Sequence, residues 1–421
     1  MSLESLLIPL IKISLVVGGM VGTIMYLIFL ERKVAAWIQD RVGPNRVGPL
    51  GLLHAVADGL KLLFKEDVLP PGVDRPLYLL APVVILIPAL CTIAVVPFGD
   101  VVELFGYHVR LQIADVNIGV LYILAVASLG VYGIVLGGWA SNSKYAFLGG
   151  IRSAAQLLSY EVPLGLSLLG VILLAGSLEL DEVVYGQTGA FFWRWNIFVQ
   201  PLAFVVFLTC AFAETNRAPF DVAEAEQELV AGYHTEYSSM KWAMFFLAEY
   251  ANMIVSSAVM ATLFFGGWHF PFLAEPTYVP GPDGALIANP DNLLGDGWAA
   301  ALVKIGVFCT KVGLFLFLFM WVRWTLPRFK FDQLMGLAWK VLVPLAMANL
   351  VVVGLVLYAG AVADPHLTLA VRVVLFVLNV VGFVMILFVI PWLSKSYNAR
   401  FGGPDSGAGR GAGSVPAIAG R

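Results

Sequence analysis

The chain has 421 residues, of which 60% are hydrophobic and only 13% are charged, and its formal net charge is −3. This composition excludes an ordinary soluble globular protein, in which about a quarter of the residues are charged. The low charge and the absence of a basic excess also give no reason to expect a nucleic-acid partner. The composition therefore predicts a membrane protein whose partners include membrane lipid.

Apolar segments of spanning length recur along the whole chain. A transmembrane helix needs about 20 mostly apolar residues, and the segments that meet this requirement are 8–30, 77–98, 117–140, 160–178, 195–213, 242–268, 301–322, 341–362 and 371–393. The segment 160–178 has the weakest pattern, because Glu161 and Pro163 interrupt it. The sequence thus predicts an all-α polytopic membrane protein with one transmembrane domain over 1–393, followed by a glycine-rich, disordered tail over 394–421.

The distribution of lysine and arginine predicts the orientation. Alternate loops, counting from the first, together with the tail hold 19 of the 25 lysines and arginines. Basic residues remain on the cytoplasmic side of a bacterial membrane. We therefore expect the N-terminus outside, the C-terminus in the cytoplasm, and the protein in the bacterial cell (inner) membrane.

The segment after the fifth apolar run is unusually acidic for a chain with so few charges. An ionised acid within the bilayer costs about 3 kcal/mol or more unless it is paired or hydrated, so such residues often mark an ion or proton route. A solvated acidic loop is the alternative interpretation. The carboxylates in this segment and in the following span are Glu214, Asp221, Glu224, Glu226, Glu228, Glu236 and Glu249, with Arg217 among them.

Three of these acids follow helical spacing. A helix beginning near Pro219 would place Asp221, Glu224 and Glu228 on one face, with proline and an acid in its first turn. A well-capped surface helix explains Asp221. Two like charges one turn apart disfavour simultaneous ionisation, however, and burial would raise a carboxyl pKa further, so Glu224 and Glu228 suit a proton relay.

The first basic loop contains a repeated pentapeptide and an amphipathic stretch. The sequence Arg-Val-Gly-Pro-X begins at Arg41 and again at Arg46, and each Gly-Pro step predicts a turn. Residues 50–65 then place His54, Asp58, Lys61 and Lys65 on one helical face. Such a helix either lies in the headgroup plane or covers a cavity with its polar stripe turned inward.

Further charges lie in or beside other spans. Glu161 follows Arg152 by nine residues, Glu249 lies inside the sixth span, and Arg323 ends the seventh. Arg323 also suits a simple cytoplasmic anchor, whereas Glu249 has no such interpretation.

Several kinds of chemistry are not indicated. The cysteines Cys91, Cys210 and Cys309 are far apart in apolar runs, whereas an iron–sulfur cluster needs about four thiolates. The five histidines do not face one another across spans, and no glycine-rich phosphate loop is present. We therefore expect no metal, haem, iron–sulfur centre or flavin in this chain, so any redox step would require another subunit.

These motifs together resemble the H subunit family of bacterial NADH:quinone oxidoreductase (respiratory complex I), the counterpart of mitochondrial NADH dehydrogenase subunit 1. The matching strings begin at Glu31, Arg41, Ala57, Ser141, Ser159, Ala213, Glu228, Glu236 and Asp332 and follow the family order. The resemblance implies an eight-helix core, so that the segment 371–393 would be a ninth, C-terminal addition.

The resemblance also implies a function and roles for particular residues. Family members form the end of a quinone tunnel beneath the hydrophilic arm and couple quinone reduction to proton translocation, with neighbouring membrane subunits as partners. The residues that match the tunnel are Arg32, Asp58, Arg217, Tyr237, Phe246 and Arg323. The residues that match the proton relay are Glu161, Glu214, Asp221, Glu224, Glu228 and Glu249, with Arg152 and Glu236 as supporting charges. Quinone would be a bound substrate.

Two alternatives remain open on the sequence. An equivalent subunit of a membrane-bound hydrogenase-type complex would share the architecture and use a different electron donor. A stand-alone ion transporter would also explain the intramembrane acids, although we detect no internal inverted repeat of the kind that transporters often contain.

Overall fold

A computed structural model describes residues 3–104, 107–189, 191–221, 230–274, 276, 278–280, 286–288, 297–363 and 370–384. Its α-helices are α1 (Leu3–Ile38), α2 (His54–Phe64), α3 (Arg75–Cys91), α4 (Gly119–Ala140), α5 (Lys144–Ala175), α6 (Leu180–Gly186), α7 (Asn196–Val199), α8 (Pro201–Glu214), α9 (Ser239–Phe264), α10 (Trp298–Thr325), α11 (Phe331–Leu337), α12 (Val343–Ala363) and α13 (Ala370–Val384). A π-helical segment, Ala338–Leu342, joins α11 to α12.

Seven helical segments in the described part of the chain are long and apolar enough to cross a membrane. They are Ile8–Ile38, Arg75–Val95, Gly119–Ala140, Lys144–Ala175, Ser239–Phe264, Trp298–Thr325 and Phe331–Gly360. The prediction of an all-α polytopic membrane protein is therefore confirmed.

The helices differ from the apolar segments at several boundaries. Helix α1 continues to Ile38, so Glu31 lies inside a helix rather than at the start of a loop. Helix α5 begins at Lys144, well before the apolar run at 160–178. Hydropathy ends a span at the first charges, but charged residues with good helix propensity continue a helix without a break.

The fifth and ninth predicted segments also differ from the expectation. Gln200 leaves the helical conformation and Pro201 begins a new helix, so the segment 195–213 is divided between α7 and α8, and α8 is shorter than a typical span. Helix α13 covers Ala370–Val384. The remainder of the segment 371–393 and the predicted tail at 394–421 lie outside the described residues.

Helix α9 lies at the centre of the bundle, whereas α1 and α12 lie at its edge. Close packing depends on glycine at two contacts. A Cβ atom on Gly133 of α4 would lie 2.7 Å from the Cβ atom of Ile85 on α3. A Cβ atom on Gly149 of α5 would lie 2.7 Å from the Cα atom of Gly232, in the 3₁₀ turn Gly232–His234. Small residues at these positions let the segments approach closely within the membrane.

Two short antiparallel hairpins accompany the helices. Strand β1 (Val101–Leu104) pairs with β2 (Tyr107–Arg110), and Val101 lies opposite Arg110. Strand β3 (Tyr278–Pro280) pairs with β4 (Leu286–Ala288). Both hairpins lie in segments that connect one spanning helix to the next.

The C-terminal end of α9 is held by a buried lysine. Lys311 of α10 donates hydrogen bonds to the carbonyl oxygens of Phe265 (2.7 Å), Gly267 (2.8 Å) and His269 (2.6 Å). A cation at this position satisfies carbonyl groups that have no partner within the helix and complements the helix dipole.

Candidate functional site

Helix α2 (His54–Phe64) lies within the stretch 50–65 for which the sequence predicted an amphipathic helix, and it borders a cavity. Its residues Leu60, Leu63 and Phe64 are exposed, whereas Asp58 and Lys61 line a cavity. Two of the polar residues of α2 therefore face the cavity, and several of its apolar residues are exposed on the outside.

The cavity has a volume of about 570 Å³ and lies between α1, α2, α9 and α10. Its wall combines charged side chains with aromatic ones. The lining residues are Ile28, Glu31, Arg32, Ala35, Arg41, Asp58, Lys61, Leu62, Lys65, Tyr237, Ser238, Ser239, Trp242, Phe246, Tyr250, Arg323 and Trp324.

Serines at the start of α9 attach α2 to the bundle. The Ser239 hydroxyl donates hydrogen bonds to the carbonyl oxygens of Leu62 (2.9 Å) and Lys65 (3.0 Å). The Ser238 hydroxyl accepts a hydrogen bond from the Val68 amide at 3.1 Å. These bonds satisfy the open carbonyl end of α2 and fix one wall of the cavity.

A buried glutamate occupies the inner end of the cavity. Glu31 is 6% exposed, and its carboxylate accepts hydrogen bonds from Arg323 of α10 and from the Tyr250 hydroxyl of α9. Nη1 of Arg217 lies 3.6 Å from Oε2 of Glu31. The Arg217 guanidinium also lies 4.0 Å from the centre of the Tyr250 ring and 5.6 Å from that of Phe246. We call these four residues, Glu31, Arg217, Tyr250 and Arg323, the Glu31 cluster.

The acidic segment begins in a turn that is anchored from two sides. Nε2 of Gln156 donates hydrogen bonds to the carbonyl oxygens of Ala213 (2.8 Å) and Phe220 (2.7 Å), and Phe329 donates its amide to the Pro219 carbonyl at 3.0 Å. Asp221 is buried and accepts a 2.7 Å hydrogen bond from Arg328.

The prediction of a helix beginning near Pro219 is therefore wrong for Pro219–Asp221. Pro219 lies in a turn, Phe220 in a bend, and Asp221 is not helical, and the carbonyl oxygens of Pro219 and Phe220 accept hydrogen bonds from other parts of the chain. Glu224, Glu226 and Glu228 lie outside the described residues.

Aromatic and imidazole groups follow the acidic segment. Tyr237 stacks on Tyr78 of α3, with the ring centres 4.1 Å apart. Burial lowers the pKa of His234 to about 4, and the Asp221 carboxylate opposes this shift. His234 is therefore neutral at pH 7.

The other predicted relay acids lie in two places. Glu161 of α5 is half-buried, and so is Glu214 at the end of α8, and the two carboxyl groups are close enough to interact electrostatically. Glu249 of α9 is 5% exposed and accepts a 3.1 Å hydrogen bond from the Tyr233 hydroxyl. Neither supporting residue lines the cavity: Arg152 lies over the Phe331 ring, and the backbone carbonyl of Glu236, next to the lining residue Tyr237, accepts a hydrogen bond from the Tyr78 hydroxyl.

Three carboxylate side chains on the opposite side of the protein form a set with the composition of a cation site. Oxygen atoms of Asp115, Glu179 and Asp181 lie within 4.8 Å of one another. Arg110 pairs with Asp115 and lies 3.9 Å from Glu179, so a side-chain cation already neutralises the group. Burial raises the pKa of Asp181 to about 7, which also disfavours its use as a metal ligand.

The structure thus brings together Arg32, Asp58, Tyr237, Phe246 and Arg323 at one cavity, with Arg217 directly behind it. Sequence reasoning did not select Glu31, Tyr250 or Gln156 as site residues. Glu31 follows the predicted span 8–30, so the sequence presented it as an ordinary boundary charge, and only the continuation of α1 to Ile38 places it inside a helix. Tyr250 and Gln156 are uncharged and gave no signal.

The fold and the cavity define a polytopic membrane protein with a charged site buried among its spans. Residues 11–354 match the NADH dehydrogenase family, and the chain belongs to that family. It is 51% identical over 362 residues to a relative from Koribacter versatilis that is named as the second H subunit of NADH-quinone oxidoreductase, covering 83% of this chain and 97% of the relative. It is 50% identical over 350 residues to the first H subunit of Geobacter metallireducens (83% and 96%), and 49% identical over 333 residues to the H subunit of Flavobacterium psychrophilum (79% and 92%).

Proposed function

We propose that the cavity binds quinone, and that the chain serves as a membrane subunit of an NADH-linked, quinone-reducing complex. The observation that carries this proposal is the lining of the cavity. Trp242, Phe246 and Tyr250 provide apolar and aromatic surface on one side, and Arg32 and Arg323 provide hydrogen-bond donors on the other. A quinone has an apolar ring with carbonyl oxygens that accept hydrogen bonds, and a mostly apolar pocket with a few directed donors suits it.

The relatives support the same substrate class, because each is named as a subunit of NADH-quinone oxidoreductase. Electrons for the reduction of quinone would come from another subunit of the complex. Hydrophilic subunits would cover the cavity side, and neighbouring membrane subunits would lie beside the bundle. The complex would lie in the bacterial cell membrane with the N-terminus of this chain outside and its C-terminus in the cytoplasm.

An alanine substitution at Phe246 tests the quinone site. In membrane vesicles that contain the assembled complex, Phe246→Ala should raise the KM for a short-chain quinone about tenfold, because about one ring of apolar contact is lost. The matched control is Phe317→Ala on α10, which removes the same ring from a half-exposed position that does not line the cavity. Equal KM values for the two variants would contradict the proposal.

We further propose that buried carboxylates couple quinone reduction to proton translocation. Glu161 and Glu214 lie close together, Glu249 lies in the central helix, and the Glu31 cluster borders the cavity. A change of charge in the cavity would alter the field at these acids and hence their proton affinities. Glu224 and Glu228 are proposed members of the same relay, with Asp221 held at its start by Arg328.

A charge-removing variant at Glu214 tests the coupling. Glu214→Gln should retain more than about half of the quinone reduction rate and lose most of the proton gradient formed per quinone reduced, because the amide keeps the shape but cannot carry a proton. Glu182→Gln, at an exposed position on α6, is the control that should retain both activities. Full coupling in Glu214→Gln would contradict a relay through this residue.

A further inference from the structure

A second cavity, with a volume of about 420 Å³, lies between the start of α1 and the end of β2, and we call it the Lys12 cavity. Glu31, at the first cavity, follows Lys12 by 19 positions of α1, so a rise of about 1.5 Å per residue separates the two by about 28 Å. The hydrocarbon core of a membrane is about 30 Å thick. The Lys12 cavity therefore lies near one boundary between lipid and water, and the Glu31 cluster lies near the other. The residues that line the Lys12 cavity are Ile8, Lys12, Val109, Arg110, Gln112, Ile113 and Asp115.

Lys12 brings a cation to this cavity from within an apolar helix. Its Nζ atom donates hydrogen bonds to the carbonyl oxygens of Arg110 (2.7 Å) and Gln112 (3.1 Å). An ammonium group has three N–H donors. These two bonds hold Nζ at the cavity wall and leave one donor for a ligand.

Carboxylates border the same cavity. Arg110 pairs with Asp115, and Nη1 of Arg110 lies 3.9 Å from Oε1 of Glu179. The two cations, Lys12 and Arg110, are thus matched by two acids, so the site has separated charges rather than a positive excess. A ligand that carries both charges is complementary to such a site, whereas an anion is not.

A buried amide in the cavity wall also offers an acceptor. Gln112 is 5% exposed, and its Nε2 atom donates a hydrogen bond to the Val95 carbonyl at 2.7 Å. Its Oε1 atom accepts no hydrogen bond from the residues that the structure describes. Leaving a buried acceptor unbonded is unfavourable. This wall therefore favours a ligand with N–H donors.

Apolar surface adjoins the cavity on α1. The side chains of Leu10, Ile11 and Leu15 are exposed close to Lys12, and α1 lies at the edge of the bundle. Acyl chains can pack against such a surface, which a small soluble zwitterion would leave uncovered. The surroundings of the cavity therefore favour a lipid as its occupant.

We propose that the Lys12 cavity binds the headgroup of phosphatidylethanolamine, with the phosphate beside Lys12 and the ammonium beside Asp115 and Glu179. The ammonium has three N–H groups that can form charge-assisted hydrogen bonds with these carboxylates. The trimethylammonium group of phosphatidylcholine has no N–H donor, and phosphatidylglycerol has no cation. The cavity should therefore select phosphatidylethanolamine over both of these lipids.

Photolabelling of the assembled complex in phosphatidylcholine vesicles tests this site. The probe is a phosphatidylethanolamine with a diazirine on an acyl chain close to the glycerol, which leaves the ammonium intact. Mass spectrometry should find the label on the segments 8–15 and 109–115. Unlabelled phosphatidylethanolamine should compete for these segments, whereas the same amount of phosphatidylglycerol should not. Quinone reduction is not measured, so a failure of the proposed quinone site would leave this result unaffected.

Two substitutions and a control sharpen the test. Lys12→Met should lower the labelling about fivefold, because the phosphate loses one charge-assisted hydrogen bond. Lys33→Met, towards the other end of α1 and outside the lining of both cavities, should leave the labelling unchanged. Asp115→Asn should reverse the headgroup preference, so that phosphatidylglycerol competes better than phosphatidylethanolamine, because Arg110 loses the carboxylate with which it pairs.

Three results would overturn the inference. A phosphatidylcholine probe with the same diazirine that labels both segments equally well would show general lipid contact only. Equal competition by phosphatidylglycerol in the unmodified protein would show that the ammonium is not recognised. An assembled Asp115→Asn complex that keeps the original preference would show the same. If Lys12→Met does not assemble, the competition in the unmodified protein and the Asp115→Asn variant decide the outcome.

Discussion

The protein contains two buried charge clusters built from the same kinds of side chain at opposite ends of α10. The Glu31 cluster includes Arg323 near the end of this helix. A second cluster, which we call the Asp100 cluster, includes Lys304 near its start, with Nζ 3.2 Å from Oδ2 of Asp100, a Tyr185 hydroxyl bonded to Asp100, and the Trp268 ring 5.1 Å from Nζ. Arg323 follows Lys304 by 19 positions, so a rise of about 1.5 Å per residue separates the clusters by about 28 Å along the helix.

Access to a cavity distinguishes the two clusters. Glu31, Tyr250 and Arg323 line the cavity, so a ligand or a proton can reach them. The side chains of Asp100 and Lys304 are each only 1% exposed, and Trp268 beside them is fully buried. An ion pair that is sealed by packing cannot exchange partners during turnover. We therefore infer that the Glu31 cluster serves function and that the Asp100 cluster holds the fold.

The largest effect that we expect is on stability, from substitution of Lys304. Lys304→Met should lower the free energy of unfolding by about 3–5 kcal/mol, because it leaves the Asp100 carboxylate buried without this cation. Thermal unfolding of the purified protein in detergent measures the change. At a temperature where the variant remains folded and assembled, its KM for quinone should equal that of the unmodified protein.

The double variant Asp100→Asn with Lys304→Met provides the control. It removes both charges, so it should recover a large part of the stability that the single variant loses. A raised KM in a fully assembled Lys304→Met complex would break the distinction between the clusters. An unchanged unfolding temperature would show that the pair does not hold the fold.

The sequence predicted the cavity far better than the Asp100 cluster, and the reason is physical. Hydropathy identifies spans, and Arg323 is noticeable because it ends one of them, whereas Arg32 and Asp58 were indicated as site residues by the family resemblance. Asp100 follows the second apolar segment and Lys304 lies inside the seventh, but nothing in either neighbourhood indicates that the two residues meet across 204 positions of the chain. Such a pairing depends on how helices pack, which local patterns do not encode.

Gln156 illustrates the same limit within the site. The sequence around it predicts only a helix, because a single glutamine in a helical stretch is ordinary. Its function depends on Ala213 and Phe220, whose carbonyl groups are 57 and 64 residues away in the chain. Every residue has a backbone carbonyl group, so the types of the two accepting residues do not indicate these hydrogen bonds. The anchor could therefore not be predicted from the sequence.

The smaller effect that we expect is on the quinone KM, from substitution of Gln156. Gln187, on the opposite side of the protein, provides the matched comparison. Gln156→Leu should raise the quinone KM about fivefold, because the carbonyl groups of Ala213 and Phe220 each lose a donor and the turn that carries Arg217 is loosened. Hydrogen–deuterium exchange of peptides that cover 213–221 should become faster.

Gln187 is the matched residue, because its Nε2 also donates to two buried carbonyl oxygens, those of Val183 (3.1 Å) and Thr262 (3.0 Å). Gln187→Leu should therefore lower the unfolding temperature at least as much as Gln156→Leu, yet leave the KM unchanged, because Gln187 holds α6 against α9 far from the cavity. If both variants raise the KM equally, the two ends of the protein are coupled through general stability, and the separation between a functional and a structural cluster fails. If only Gln156→Leu raises it, the position of a buried hydrogen bond relative to the cavity, rather than its strength, determines its effect on quinone binding.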